Sequence, residues 1–391
     1  MITLQVRKER VGPVLGRHPW VFSGALENVP DEIPAGTPIK LIDPNGNFLA
    51  QGYFNSYSQI AVRVWSYNEN EKIDEIFFAK RILRAQAIRK KYVASAKTDS
   101  YRLINAENDF LPGLIVDKYA DYLVIQCHTS GIEAWKKEIV AALAKTLKPK
   151  GIYEKSDSSS RKVEKLDEQT GLLFGEVPDL ITIKENGFKF LVDVARGQKT
   201  GFFLDQRDKR QALIKYSKGK TALNCFSYTG GFSVYALSGG AKKVISVDSS
   251  ADALELAKEN IKLNKLSEEK CEFVCQDAKQ YLRSTAANKF DLIILDPPAF
   301  IKDRKKKEEG IIGYKNINEA ALKILTEGGI LATCSCSAHL SLQEFRYLLS
   351  ESAGRAKKST QILETYTHGI DHLGLTPFTE GEYLKCLFLS L

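Results

Sequence analysis

The sequence predicts an α/β chain whose C-terminal part is a Rossmann-like, mostly parallel sheet of seven strands, preceded by a small β module and a central α/β module. Three observations carry this expectation. Short alternating apolar runs separated by turn signals fill the chain to about residue 70, a helical period begins at residue 72, and strand and helix patterns alternate from about residue 220 onward. The 391 residues suit two or three domains. A 43% hydrophobic and 27% charged composition supports buried cores and excludes a disordered or collagen-like chain. There is no long apolar run and no apolar leader after Met1, so a cytoplasmic protein without membrane association is expected. Seven cysteines without C-x-x-C spacing argue against a disulfide framework and a zinc knuckle, so no metal is expected. A formal net charge of +8 favours a polyanionic partner.

The first module, 1–71, holds strand-like runs at Ile2–Val6, Pro38–Ile42, Phe48–Phe54 and Ile60–Trp65, with a turn at Asp43-Pro44-Asn45-Gly46. Lys8, Arg10, Arg17 and His18 form a basic cluster beside Trp20 and Phe22. In the second module, 72–192, Ile73, Ile76, Phe77, Ile82, Leu83, Ala87 and Ile88 recur at helical spacing. The same segment is rich in Lys and Arg, and Arg84, Arg89 and Lys90 are its candidate phosphate contacts; a merely solvated helix face is the plainer alternative. Strands at Leu114–Val116 and Tyr122–Gln126, a helix from Ile132 to Leu147, a loop from Ser156 to Arg161 and hairpin-like runs to Val194 follow. In the third module, 193–391, strands are expected at Thr221–Asn224, Lys243–Val247, Glu272–Cys275, Phe290–Leu295, Ile330–Cys334, Leu363–Thr367 and Leu384–Leu389, with a clear helix at Ala251–Leu263.

Ligands of such sheets bind beyond the carboxyl ends of the strands. The first strand runs into a loop with Asn224, Phe226, Tyr228, Thr229 and Gly230, whose paired glycines let the backbone approach a ligand. It is not the G-x-G-x-x-G pyrophosphate fingerprint. The second strand ends at Asp248-Ser249, where a carboxylate can accept both hydroxyls of a ribose, and the third ends at Asp277-Ala278, near an adenine-sized ring. Taken alone, each Asp could be an ordinary helix cap. Taken in order, acidic strand ends without a phosphate loop suit a nucleoside lacking phosphates, and S-adenosylmethionine fits that description.

The fourth strand delivers Asp296-Pro297-Pro298-Ala299-Phe300. The prolines stiffen the arc that presents Asp296, which can bond the amine edge of a base while Phe300 stacks on it. The fifth strand ends Cys334-Ser335-Cys336-Ser337. Carbon 5 of a pyrimidine is too weak a nucleophile to take a methyl unaided, whereas a thiolate added to carbon 6 makes carbon 5 enamine-like. A cysteine one strand from a base-binding Asp is what that chemistry needs; a buried structural thiol is the plainer reading of either one.

With these residues in place the chain resembles the ribosomal RNA large subunit methyltransferase I family, cytosine carbon 5 methyltransferases that use S-adenosylmethionine. The likeness runs through Gly16-Arg17-His18-Pro19-Trp20, Leu111-Pro112-Gly113-Leu114, Gly197 to Arg207, the Asn224–Phe232 loop, D-P-P and S-C-S. The resemblance implies a PUA domain over the first module, a central α/β domain, a class I methyltransferase domain and 23S ribosomal RNA as partner; it is compatible with a homodimer. It also implies cofactor contacts from Phe203, Asp205, Gln206, Arg207 and Pro297, and substrate contacts from Lys199, Phe300, Arg17 and Arg84. The family's nucleophile spacing, counted from Gly329, falls on Cys336, with Cys334 as the alternative or as an aid to release. Asp296 serves both base and cofactor. Two other readings stay open: an RNA base N-methyltransferase that uses D-P-P without a nucleophile, and a non-catalytic RNA-binding or ribosome-assembly protein.

Overall fold

The computed structural model describes residues 1–30 and 32–391. The chain forms two compact units: Met1–Lys184 with Val192–Leu204 and Ile370–Gly381, and Glu185–Leu191 with Asp205–Gly369 and Glu382–Leu391.

The first unit opens with β1 (Ile2–Val6), α1 (Val11–Leu15), β2 (Trp20–Phe22), β3 (Leu26–Glu27), β4 (Pro38–Ile42), β5 (Phe48–Phe54) and β6 (Ile60–Ser66). They form a six-stranded sheet in the order β2-β6-β5-β4-β1-β3. Alternation buries Leu4 and Val6 on β1 and Ile39 and Leu41 on β4, as a half-buried strand requires. β2 and β3 are too short to show a period, so the pattern did not announce them. Then come α2 (Glu75–Tyr92), β7 (Tyr101–Asn105), β8 (Leu114–Tyr119), β9 (Tyr122–Cys127), α3 (Ser130–Ala134), α4 (Lys136–Leu147), β10 (Gly151–Ser156), α5 (Ser160–Val163) and β11 (Gln169–Gly175). The strands make a second sheet, β11-β10-β9-β8-β7. Tyr53 and Trp65 of the first sheet pack with Phe77, Phe78 and Trp135 in one aromatic core. Two expectations need correction. The helix read over 132–147 breaks at Trp135 into α3 and α4, and the supposed loop 156–161 closes β10 and opens α5, with Arg161 buried against Glu133.

The basic run on α2 is also not one solvated face. Arg89 falls on the stripe of Phe78, Ile82 and Ala85 and is fully buried. Its Nη1 and Nη2 donate to the Asp109 carboxylate at 2.5 and 2.7 Å, and Nη2 also donates to the carbonyl of Asp371. Arg89 therefore cannot meet phosphates, whereas Arg84 and Lys90 are exposed. The Ile370–Gly381 excursion is bonded throughout: Asp371 accepts from the Arg102 N–H, Asn105 donates to Leu373 O, Leu375 N–H donates to Asn108, and Phe378 meets the Trp20 ring at 4.7 Å.

The hairpin β12 (Ile181–Glu185) and β13 (Phe188–Val192) precedes the second unit's main elements. These are α6 (Arg207–Ser217), β14 (Thr221–Cys225), α7 (Gly231–Ser238), β15 (Lys243–Asp248), α8 (Ala251–Leu263), β16 (Cys271–Cys275), α9 (Ala278–Ser284), β17 (Phe290–Leu295), α10 (Lys307–Ile324), β18 (Leu325–Ser335), α11 (Leu342–Ala356), β19 (Gln361–Tyr366) and β20 (Lys385–Ser390). The sheet order is β16-β15-β14-β17-β18-β20-β19, parallel through β18 and antiparallel at β20 and β19. The strand order reverses between β14 and β17, the switch point at which open sheets hold ligands. Among the described residues, no helix is long and apolar enough to cross a membrane.

Because Arg89 and Asp109 are both buried, removing one partner strands the other charge. Asp109→Ala is expected to cost about 3–5 kcal/mol in urea unfolding, against less than about 1 kcal/mol for Lys90→Ala.

Candidate active site

At the rim of the second unit, β14 passes into a loop that reverses three times through left-handed backbone, at Phe226 (φ 58°), Tyr228 (φ 46°) and Gly230 (φ 75°). Gly230 is required twice over: its φ suits glycine, and a Cβ there would lie 2.9 Å from the Ala257 Cβ. Asp248 at the end of β15 holds this loop. Its Oδ2 accepts the Tyr228 N–H at 2.8 Å, and its Oδ1 accepts the Ser250 N–H at 3.0 Å. Below it, Asn224 donates to Ser233 Oγ at 2.9 Å.

Four buried oxygens around this loop lack a hydrogen-bond partner: Gln206 Oε1, Asn224 Oδ1, Ser227 Oγ and Thr229 Oγ1. Each unmet group costs about 1–3 kcal/mol, so together they mark a place built for a ligand rich in donors. An amino-acid nucleoside such as S-adenosylmethionine, with its ammonium, ribose hydroxyls and adenine amine, fits that donor set. Asp205 Oδ2 accepts from Tyr383 OH at 2.7 Å, and Arg207 is buried 3.7 Å from Asp208. Asp277 is exposed and caps α9, accepting the Gln280 N–H at 2.9 Å; Ser249 is exposed, and Ala278 faces the core. The geometry thus gathers Gln206, Asn224, Thr229, Gly230 and Asp248, while Asp277 already serves a structural role at the edge. Lys199 and Phe203 belong to the first unit, where the Lys199 ammonium lies 4.8 Å from the Phe203 ring centre.

On the chemical side, Asp296 follows β17, and its Oδ1 accepts from Gln206 Nε2 at 2.7 Å. Pro297 is buried behind it. Phe300 is partly exposed, packed against Tyr314 at 4.7 Å, with the Lys279 ammonium 4.4 Å from its ring centre. The two candidate thiols differ sharply. Cys334 is 1% exposed, lies opposite Cys386 in the β18–β20 ladder, and is pushed well up by burial. Cys336 lies outside that ladder, because β18 ends at Ser335 and Cys336 follows it, just before a turn. Cys336 is partly exposed, and its Sγ donates to the carbonyl of Pro297 at 3.7 Å, beside Asp296.

That turn is held by groups the sequence did not single out. Ser337 Oγ accepts the Ile301 N–H at 3.2 Å and bonds Tyr314 OH at 2.9 Å. Buried Lys385 donates to the carbonyls of Ser337 and Leu340 at 2.7 and 2.5 Å. A lysine opening an otherwise apolar final strand was the one available signal.

In the first unit, the Arg17 and Arg84 guanidiniums are exposed and lie over the rings of Tyr67 and Phe110, at 5.4 and 4.6 Å. Cys127, Glu133 and Glu154 converge, but Lys136 and Arg161 already pair with the carboxylates.

A family model of S-adenosylmethionine-dependent methyltransferases matches residues 159–374, and one of PUA-like domains matches residues 4–67. The Ribosomal RNA large subunit methyltransferase I of Tolumonas auensis is 45% identical over 389 residues, covering 98% of both chains. That of Aliivibrio fischeri is 42% identical over 387 residues, again 98% of each. A solved chain from Streptococcus mutans aligns with a TM-score of 0.86 at 27% identity over 100% of both chains, and another, complexed with SAH, does so at 26% identity. The chain therefore belongs to the S-adenosylmethionine-dependent methyltransferases and, among them, to the ribosomal RNA large subunit methyltransferase I family.

Proposed function

We propose that this protein methylates carbon 5 of a cytosine in 23S ribosomal RNA through a covalent bond between Cys336 and the base. The observation that carries the reading is the pairing of a partly exposed Cys336 with the Asp296-Pro297 arc across adjacent strand ends, while Cys334 is buried in the sheet. Gln206, Asn224, Ser227, Thr229 and Asp248 would hold S-adenosylmethionine. When bound, it supplies an electrophilic methyl carried on a sulfonium.

Asp296, fixed by Gln206, accepts from the exocyclic amine of the inserted cytosine and holds carbon 6 toward Cys336. The Cys336 thiolate adds to carbon 6, forming a carbon–sulfur bond and leaving carbon 5 electron-rich. Carbon 5 would then take its methyl from bound S-adenosylmethionine, the sulfonium–methyl bond breaking to leave the neutral thioether S-adenosylhomocysteine. Loss of its proton to a base expels the sulfur as thiolate and restores the aromatic ring. Phe300, backed by Tyr314, offers the stacking face. The exposed Arg17 and Arg84 suit RNA phosphates or bases, and the formal net charge of +8 suits a polyanion.

Cys336→Ala should still bind S-adenosylhomocysteine in calorimetry within about twofold of wild type while transferring no methyl. Wild type, but not this variant, should form a denaturation-resistant adduct with 5-fluorocytidine-containing rRNA; full transfer by Cys336→Ala, or product methyl on nitrogen in digested RNA, overturns the reading. For RNA affinity, Arg84→Ala with Lys90→Ala should lower the slope of log Kd against log salt by about 1–2, since each lost phosphate contact removes about 0.7–0.9. An unchanged slope would exclude that face of α2 from the interface.

A further inference from the structure

We propose that Lys385 is a positioning residue for the nucleophile: from the opening of β20 its ammonium fixes the turn that presents Cys336 and supplies the positive charge that favours the thiolate. This deepens the reading of Cys336 as the nucleophile and rests on it.

The β18–β20 ladder places Lys385 opposite Ser335, the residue before Cys336. Lys385 is 5% exposed, and its Nζ donates to the carbonyls of Ser337 and Leu340 at 2.7 and 2.5 Å. Both acceptors are neutral carbonyls of the turn that follows Cys336. They satisfy two of three ammonium protons and leave the charge uncancelled, whereas a carboxylate partner would cancel it. A cation held in a low-dielectric setting acts strongly on a nearby thiol.

The surrounding charges come from several elements, among them buried Lys209 of α6, which with Asp296 acts on the neighbouring Cys334. On α11, Glu344 is drawn down to about 2 chiefly by Lys307, which bonds it at 2.5 Å, and by the Ser341 backbone, so its charge is already answered. Glu382 adds a weaker pull on Lys385 from the segment preceding β20. From α10, Tyr314 faces Cys336 and is kept neutral because burial raises it. Asp296, one residue before Pro297, opposes thiolate formation, so a counter-charge is needed if Cys336 is to ionise near neutral pH. Burial brings Lys385 itself down to about 8, with Cys336, Glu344 and Glu382 acting to keep it charged. Its help is therefore present below about pH 8 and fades above it.

The test is the pH dependence of Cys336 alkylation by iodoacetamide in the full-length protein, read at that peptide by mass spectrometry so that the other cysteines do not contribute. In wild type the midpoint should lie below the ordinary thiol value of about 8.5. Lys385→Met should raise it by about one unit and slow alkylation at pH 7 about tenfold, and Lys385→Arg should restore most of the rate. A midpoint at or above the ordinary value in wild type, or an unchanged profile in a folded Lys385→Met, overturns the proposal; if that variant does not fold, the wild-type profile decides. Adduct formation with 5-fluorocytidine RNA separates the two readings. Absence of adduct with the shifted profile intact rejects Cys336 as nucleophile but not the effect of Lys385, and adduct with an unshifted profile does the reverse.

Discussion

Parallel pairing across β14 and β17 is the constraint on which the candidate site depends. In the ladders Cys225 pairs with both Val247 and Leu295, and Leu295 pairs with Thr333. The residues that follow must therefore emerge side by side: Phe226 from β14, Asp248 from β15, Asp296 from β17 and Cys334 to Cys336 from β18. Five sequence-distant segments become neighbours once β20 joins from the other direction and brings Lys385 to Ser335. No single side chain creates this arrangement. It follows from hydrogen-bond register, which buried apolar strands such as Leu292–Leu295 specify strongly because a one-residue slip would turn their side chains to the opposite face.

This explains which parts of the protein were legible in its sequence. The β4, β5 and β17 ranges and helix α8 coincide with the runs that predicted them, since buried apolar periodicity is both the signal and the cause of these elements. Asp248 and Asp296 could be read because they close such runs. Arg89 could not, because a cation inside a basic run looks solvated until its partner, Asp109, is brought from another element. Asp277 shows the reverse: a carboxylate at a strand end that also begins a helix satisfies two patterns, and here its side chain caps α9. Lys385 showed in the sequence only as a lysine opening an apolar strand; its meaning comes from the antiparallel pairing that sets it opposite Ser335 of β18.

Arg210 donates to the Glu185 carboxylate at 2.7 and 2.6 Å, and Asn260 donates to Thr229 O at 2.9 Å, so these two buried groups are satisfied by protein. Unpartnered buried polar atoms also occur elsewhere, at Trp65, Arg81 and His372 for example. What distinguishes Gln206, Asn224, Ser227 and Thr229 is that four oxygens, all acceptors, gather at one strand-end loop and its neighbour.

The Ile370–Gly381 excursion lies between β19 and β20 in the chain, yet it belongs to the first unit and supplies the carbonyl that Arg89 meets. During synthesis, the first unit cannot be completed when its own N-terminal stretch has left the ribosome; it waits for a segment made almost at the end. Cutting the gene at the apparent boundary near residue 205 would deprive one fragment of that segment and leave Phe378 without Trp20 on the other. The two units are thus interleaved parts of a single translation product, and dissecting their roles calls for point substitutions instead of truncations.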